Sequence, residues 1–288
     1  MQARLTLDIP TTVTSRYLVA NPNRVRLTSN QVRKALPSHP LASTAASLLG
    51  SSRLTIESKA AQPDDRLKRI GAAPEQSMRL LNAGFHSMIT GTSPPSAQPS
   101  DTQAFRLVAR TLATQTGGLL VDLDSNQLLR PGVPEPHSFL LGHEWIGVFI
   151  EMDTGGLIRT DTSGLHRFGL PELAAREVPY GTMLTAANLL RGTAFRLFTE
   201  YRDHLARNRS TWEIATERQL DPADTQRFWG TRPTHTDPLP IRLTPTTTTC
   251  PGCTKALAIS PTTPHDPFQW WQDQATPRIP QHPTTPTP

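Results

Sequence analysis

Proline is the residue that most constrains this chain, because it lacks a backbone N–H and fixes its own φ angle. The sequence contains 28 prolines in 288 residues, and 13 of them lie after residue 230. A threonine run at residues 244–249 and a threonine and proline repeat at residues 280–288 belong to the same stretch. Such a segment offers few side chains to a core, so the sequence predicts a disordered, proline-rich tail over residues 231–288.

Positive charge is concentrated near the N-terminus. Residues 1–70 contain 11 Lys and Arg against 4 Asp and Glu, a net charge of +7, whereas the remaining residues contain 18 against 20, a net charge of −2. A basic segment of this kind can bind nucleic acid. No Arg-Gly-Gly tract, zinc-finger spacing or alternation of aromatic and basic residues accompanies it, so nucleic acid is a disfavoured partner.

Hydrophobic periodicity before the tail predicts alternating strands and helices. Residues 85–90 and 145–152 have the composition of strands, and residues 182–205 carry apolar side chains at helical spacing. The prediction is an α+β fold of antiparallel or mixed sheets with helices packed on one face. A boundary near residue 84 gives a basic N-terminal half at residues 1–84 and a C-terminal half at residues 85–230.

Two carboxylates follow a predicted strand. Asp122 and Asp124 stand two residues apart, as in phosphotransferases of the haloacid dehalogenase superfamily, in which the first Asp attacks phosphorus and the second transfers protons. Those enzymes also need a lysine, and the only lysine after residue 124 is Lys255, in the proline-rich segment. The favoured interpretation is a strand that leaves the core through a polar turn.

His143 and Glu144 resemble the beginning of a helical zinc-hydrolase motif. The second histidine of that motif is missing, because position 147 is glycine. We retain His143 and Glu144 as candidate binding residues.

Cys250 and Cys253 are the only cysteines and form a Cys-Pro-Gly-Cys turn. This spacing can supply two ligands of a tetrahedral zinc site, a redox dithiol or a strained disulfide. Structural zinc requires four ligands, and the nearest candidates in the sequence are His235 and His265. Zinc at Cys250 and Cys253 is therefore the one cofactor that we consider, and no other is expected.

Several enzyme and membrane classes are disfavoured. The sequence contains no Gly-Lys-Ser/Thr phosphate loop, no Gly-x-Gly-x-x-Gly fingerprint and no Gly-x-Ser-x-Gly elbow. The most apolar stretch, residues 139–150, is too short to span a bilayer, and no signal peptide precedes the first predicted strand. We expect a cytoplasmic location and no membrane partner.

Two motifs resemble a known family. Residues 116–122 read Thr-Gly-Gly-Leu-Leu-Val-Asp, and residues 162–173 read Thr-Ser-Gly-Leu-His-Arg-Phe-Gly-Leu-Pro-Glu-Leu. Over about residues 80–205 the chain resembles an uncharacterised bacterial, actinobacterial-type α+β domain family. The resemblance implies a fold and no particular activity.

The second motif can be interpreted in two ways. In the structural interpretation Gly164 and Gly169 permit turns, apolar side chains pin the turns to the core, and Pro171 begins a short helix. The apolar side chains are Leu165, Phe168 and Leu173. In the alternative, His166, Arg167 and Glu172 line a binding groove.

The missing catalytic sets favour a non-catalytic protein-interaction or accessory protein, whose partner the sequence does not identify. One alternative is a hydrolase-type enzyme that uses Asp122, Asp124, His143 and His166. Another is nucleic-acid binding through the basic N-terminal quarter.

Overall fold

A computed structural model describes residues 3–25, 27–62, 65–68, 70–207, 210–234, 237–248, 253, 255–263 and 266–280. The strands are β1 (Arg4–Asp8), β2 (Val13–Asn21), β3 (Leu54–Ala60), β4 (Phe85–Ser93), β5 (Leu119–Asp122), β6 (Gln127–Leu129), β7 (Gly147–Met152), β8 (Leu157–Ser163), β9 (Glu172–Pro179), β10 (Thr211–Ala215), β11 (Glu217–Leu220), β12 (Leu239–Thr246) and β13 (Ala256–Pro261). The α-helices are α1 (Ser29–Ala35), α2 (Ala42–Leu48), α3 (Asp65–Lys68), α4 (Pro74–Leu81), α5 (Ser100–Thr116), α6 (Met183–Leu205), α7 (Ala223–Phe228), α8 (Pro267–Gln269) and α9 (Thr276–Arg278).

The chain divides into two compact units. The first unit is Pro10–Phe139, and the second unit combines Met1–Ile9 with Leu140–Pro288. This division differs from the predicted halves that meet at residue 84, because that boundary falls inside the sheet of the first unit. There β4 pairs with β2 over nine positions, from Val13 opposite Ser93 to Asn21 opposite Phe85.

The first unit is an antiparallel sheet with the strand order β3-β4-β2-β5-β6. Side chains alternate across a strand, so Tyr17 and Val19 face the cluster that contains α1, α2 and α5. Leu18 and Ala20 face the opposite cluster, to which the short helices α3 and α4 contribute Leu67 and Leu80. The longer helix α5 lies on one face as predicted, together with α1 and α2. The short helices α3 and α4 cover the other face.

The second unit is built on a six-stranded mixed sheet with the order β11-β12-β13-β9-β8-β7. In this sheet β13 pairs with β9 in parallel. The helix α6 packs against β8 and β9, and Phe198 of α6 meets Phe168 with ring centroids 5.2 Å apart. β1 and β10 form a separate antiparallel pair. The sheets and helices together confirm the predicted α+β class.

The segment predicted to be disordered contains ordered structure. In β12, Leu239, Ile241 and Leu243 are buried at alternate positions. A π-helical turn, Trp270–Ala275, lies between α8 and α9, and both of its tryptophans are buried. In the sequence, Pro240 and Pro245 within this segment argue against a strand, although Pro240 lies between two of the buried residues and Pro245 lies beyond the last of them. For β12, β13 and the helical residues 267–278 the prediction of disorder is therefore corrected, whereas residues 281–288 lie outside the described residues.

Among the residues that the structure describes, no helix is both long enough and apolar enough to cross a membrane.

The buried pattern of β12 can be tested with two neighbouring substitutions. Leu243 is fully buried and Thr244 is exposed. We expect Leu243→Ala to lower the free energy of unfolding by about 2–5 kcal/mol, because it leaves a cavity in the core. Thr244→Ala should change it by less than about 0.5 kcal/mol. Urea unfolding of the full chain measures both, and equal small effects would mean that β12 contributes nothing to the core.

Candidate metal centre

The connection between β8 and β9 is a tight turn that depends on two glycines. Gly164 has a φ angle of 116° and Gly169 one of 84°, and they flank a 3-10 helix at Leu165–Phe168. A Cβ atom on Gly164 would lie 2.3 Å from the carbonyl oxygen of Trp145. Only glycine therefore fits this position without a shift of the backbone.

The apolar residues of the motif hold the turn against the core as predicted. Leu165, Phe168 and Leu173 are all buried. The predicted helix at Pro171 is wrong, because β9 begins at Glu172 and pairs with both β8 and β13. Pairing with two neighbouring strands outweighs the local preference of proline for a helix start.

The carboxylate of Glu172 organises this turn. The Glu172 side chain has no exposed surface. Its Oε1 atom accepts hydrogen bonds from the backbone N–H groups of Gly164, at 3.0 Å, and of His166, at 3.1 Å. Its Oε2 atom accepts one from the Thr162 hydroxyl at 2.7 Å. One side chain thus satisfies polar groups from the end of β8 and from the turn that follows it.

These contacts keep Glu172 ionised. Burial by itself raises the pKa of a carboxyl group, because it disfavours the charged form. The hydrogen bond and the charge of His166, together with the bonds from Thr162 and the His166 amide, outweigh burial, so the pKa of Glu172 lies below its ordinary value. The site therefore holds a buried negative charge.

His166 and Cys253 complete a compact group around this charge. His166 Nδ1 lies 2.8 Å from Glu172 Oε1, and Cys253 Sγ lies 3.1 Å from the same nitrogen. The sulfur is 3.7 Å from Glu172 Oε1. Of the histidine, cysteine and acidic side chains that the structure describes, these form the one group of three or more whose ligand atoms converge in this way.

The parallel pairing of β13 with β9 brings Cys253 to the turn. Ala256 stands opposite Glu172 in the register, and the Glu172 N–H donates to the Lys255 carbonyl at 3.2 Å. Cys253 precedes Ala256 by three residues, so it lies where the chain enters the strand beside Glu172. Cys250, the other half of the Cys-Pro-Gly-Cys turn, lies outside the described residues, as do His235 and His265.

The three ligand atoms have the spacing of a metal site. Zinc bonds of about 2.0–2.3 Å to nitrogen, oxygen and sulfur in a tetrahedron separate the ligand atoms by about 3.3–3.6 Å. The observed separations of 2.8, 3.1 and 3.7 Å are each within about 0.5 Å of that range. Small side-chain movements would therefore admit a cation between them.

The arrangement does not have the geometry of a cysteine-nucleophile triad. In such a triad the histidine uses one ring nitrogen toward the nucleophile and the other toward the orienting acid. Here Cys253 and Glu172 both contact Nδ1 of His166. Three atoms that can each ligate a metal and that all approach one point are the arrangement expected around a shared cation.

The other predicted site residues of this unit lie elsewhere. Arg167 is fully buried and its guanidinium carbon lies 5.7 Å from the centre of the Trp145 ring, so it belongs to the core and does not line a groove. His143 and Glu144 precede β7, and neither belongs to the group formed by His166, Glu172 and Cys253.

Asp122 and Asp124 lie in the first unit and have structural partners. Asp122 Oδ1 accepts hydrogen bonds from the backbone N–H groups of Asp124 and Ser125. Asp124 forms an ion pair with Arg16, with 3.0 Å between Oδ1 and Nε. These contacts support the interpretation of a polar turn after a strand.

No family model, curated protein or solved structure matches the chain. The resemblance to an actinobacterial-type domain family therefore stays a prediction.

The turn that presents His166 can be tested with two glycine substitutions. Gly164→Ala places a Cβ atom against a backbone carbonyl at a positive φ angle, so we expect a loss of at least about 2 kcal/mol in the free energy of unfolding. Gly181→Ala is the matched control, because its Cβ atom would meet nothing within 4 Å. Urea unfolding measures both, and a Gly164→Ala variant as stable as the control would contradict the geometry of the turn.

Proposed function

We propose that this protein binds one zinc ion through His166, Glu172 and Cys253, with Cys250 as the fourth ligand. The observation that carries the proposal is the mutual approach of Nδ1, Oε1 and Sγ from two distant parts of the chain, the connection between β8 and β9 and the segment before β13. The Cys-x-x-Cys spacing supports Cys250, because two cysteines in such a turn commonly bind the same metal.

The ligand types select the metal. Thiolate and imidazole groups prefer zinc and other transition metals, whereas magnesium and calcium prefer oxygen ligands. Glu172 supplies an oxygen whose negative charge is maintained at neutral pH. The hydrogen bonds from Thr162 and from two backbone amides orient this carboxylate, as outer-sphere contacts do in metal sites.

The role proposed for the metal is structural. Four protein ligands leave no position for a reactive water, which is the arrangement of structural zinc. The ion would join the segment before β13 to the turn between β8 and β9. Cys253 and Glu172, the ligands from these two segments, are 81 residues apart in the sequence. This role agrees with a non-catalytic accessory or interaction protein, and the partner is not identified by the site.

A hydrolase is the second candidate, and a specific observation favours it. The His166 side chain is 23% exposed, so solvent reaches the site on the His166 side, although Glu172 is fully buried. If Cys250 is not a ligand, the fourth position can hold a water molecule that the metal activates. Of the four residues that the sequence offered for a hydrolase, His166 would then belong to the site. Asp122 and Asp124 lie in the first unit, where they contact the turn after β5 and Arg16.

Metal content tests the proposal. We expect the full-length protein to bind one zinc per chain, and we expect Cys253→Ser and His166→Ala to weaken zinc binding by at least about a hundredfold, since loss of an outer contact alone costs about 10- to 100-fold. His143→Ala is the control and should bind zinc as the unchanged chain does. Competition with a chromogenic chelator measures the affinities, and circular dichroism shows whether each variant is folded.

Cobalt substitution separates the two candidates. Closed tetrahedral coordination by two thiolates predicts intense d–d bands and a sulfur-to-cobalt charge-transfer band that Cys250→Ser roughly halves. A spectrum that Cys250→Ser leaves unchanged would favour the open site. Zinc binding that survives both Cys253→Ser and His166→Ala would refute the metal site altogether.

A further inference from the structure

A second site lies in the first unit and is independent of the proposed metal centre. A cavity of about 270 Å³ opens between the end of α4, the end of α5 and the loop after β6. Its polar side chains include three arginines, Arg79, Arg110 and Arg130, and none of the described residues that line it is acidic. A cavity with this lining attracts anions.

One of the arginines is held in place by the protein. Arg110 is 8% exposed, and its Nε donates to Glu135 Oε2 at 3.0 Å. Its Nη1 donates to the carbonyl of Val133 at 3.1 Å. Arg106 binds both oxygens of the same carboxylate, each at 2.8 Å, so Glu135 is fixed as well. A guanidinium group that is already oriented loses little conformational entropy when it binds a ligand.

The other two arginines are on the rim. Arg79 lies in the last turn of α4, Arg130 directly follows β6, and both are exposed. The Arg130 carbonyl, rather than its side chain, accepts a hydrogen bond from Arg110. Substitution of the Arg79 or Arg130 side chain therefore leaves in place the Arg110 partners Glu135, the Val133 carbonyl and the Arg130 carbonyl.

The end of α5 opposes an anion only weakly. A helix C-terminus carries a partial charge of about −0.5, and Thr114 and Gly117 of this end line the cavity. The carbonyls of Ala113 and Thr114 accept hydrogen bonds from Gly118 and Gly117. Glu135 balances part of the charge of Arg110 and of Arg106, and with the rim arginines Arg79 and Arg130 the net charge around the cavity remains positive.

The rest of the lining is apolar. Ala113, Leu120 and Leu129, which belong to one core cluster, line the cavity, and Leu119, at the start of β5, lines it as well. The volume is close to the lower end of the range of about 300–1,000 Å³ for small-molecule sites. Guanidinium groups match the oxygens of a phosphate in pairs, and the leucines can contact an uncharged ring or chain.

We propose that this cavity binds a small organic phosphate, with the phosphate at Arg79, Arg110 and Arg130 and the organic part against the leucines. We propose binding and no reaction at this cavity, because no carboxylate, histidine or cysteine is among the described residues that line it.

Phenyl phosphate is the probe, and isothermal titration calorimetry of the full-length protein is the measurement. We expect saturable binding of one molecule per chain that weakens as salt is added, because the contacts are between charges. Inorganic phosphate should bind at least about tenfold more weakly, since it lacks the apolar part.

Two variants locate the binding. Arg79→Gln and Arg130→Gln should each weaken phenyl phosphate by about tenfold, because each removes a charge-assisted contact. Arg24→Gln is the control, since Arg24 is an exposed arginine of the same unit that does not line the cavity. Cys253→Ser should bind the probe normally, which separates this site from the metal centre.

One set of results would contradict the site, and another would contradict the class of ligand. Absence of saturable binding, or a loss in Arg24→Gln as large as in the two cavity variants, would overturn the site. Equal affinity for inorganic phosphate and phenyl phosphate would overturn the assignment of an organic phosphate. Thermal unfolding of each variant shows that a lost affinity is not a lost fold.

Discussion

The buried carboxylate of Glu172 is the group on which the turn between β8 and β9 depends. It lies at the start of a strand in the middle of the sheet and accepts hydrogen bonds from a hydroxyl and two backbone amides. A carboxylate buried without such donors would be neutral or strongly destabilising. The turn supplies the donors, and the carboxylate in return fixes the turn, so neither is stable in this form without the other.

The same contacts explain why metal-binding chemistry is possible at this point. The turn directs the His166 side chain back toward Glu172, and the parallel pairing of β13 with β9 brings Cys253 to the same place. A structural zinc ion here would connect parts of one sheet that are far apart in sequence. Such cross-links stabilise a fold mainly by restricting the unfolded chain.

Local pattern predicted much of the fold. The helix spacing of α6, the period-2 alternation of the strands and the two glycines of the turn are all visible in the sequence, because each depends on neighbouring residues. Two predictions failed for a common reason. Pro171 does not begin a helix and β12 is not disordered, since strand pairing determines both, of β9 with the distant β13 and of β12 with β11 and β13.

The candidate site was only partly predictable. His166, Glu172 and Cys253 each stood out, the first two as possible groove residues and the third as a zinc ligand. Nothing in their spacing joined them, because Cys253 is separated from Glu172 by 81 positions and by several elements. The third candidate of that groove, Arg167, points into the core, where it stacks near Trp145.

The sequence by itself determined the α+β class, the glycine turn and the residue types that can bind a metal, since these follow from local periodicity, backbone freedom and side-chain chemistry. Only the tertiary structure decided which of those residues meet. The parallel register of β13 beside β9 places a cysteine next to a buried carboxylate, and the antiparallel sheet of the first unit places three arginines around one cavity. Both depend on contacts between distant segments, which no local pattern encodes.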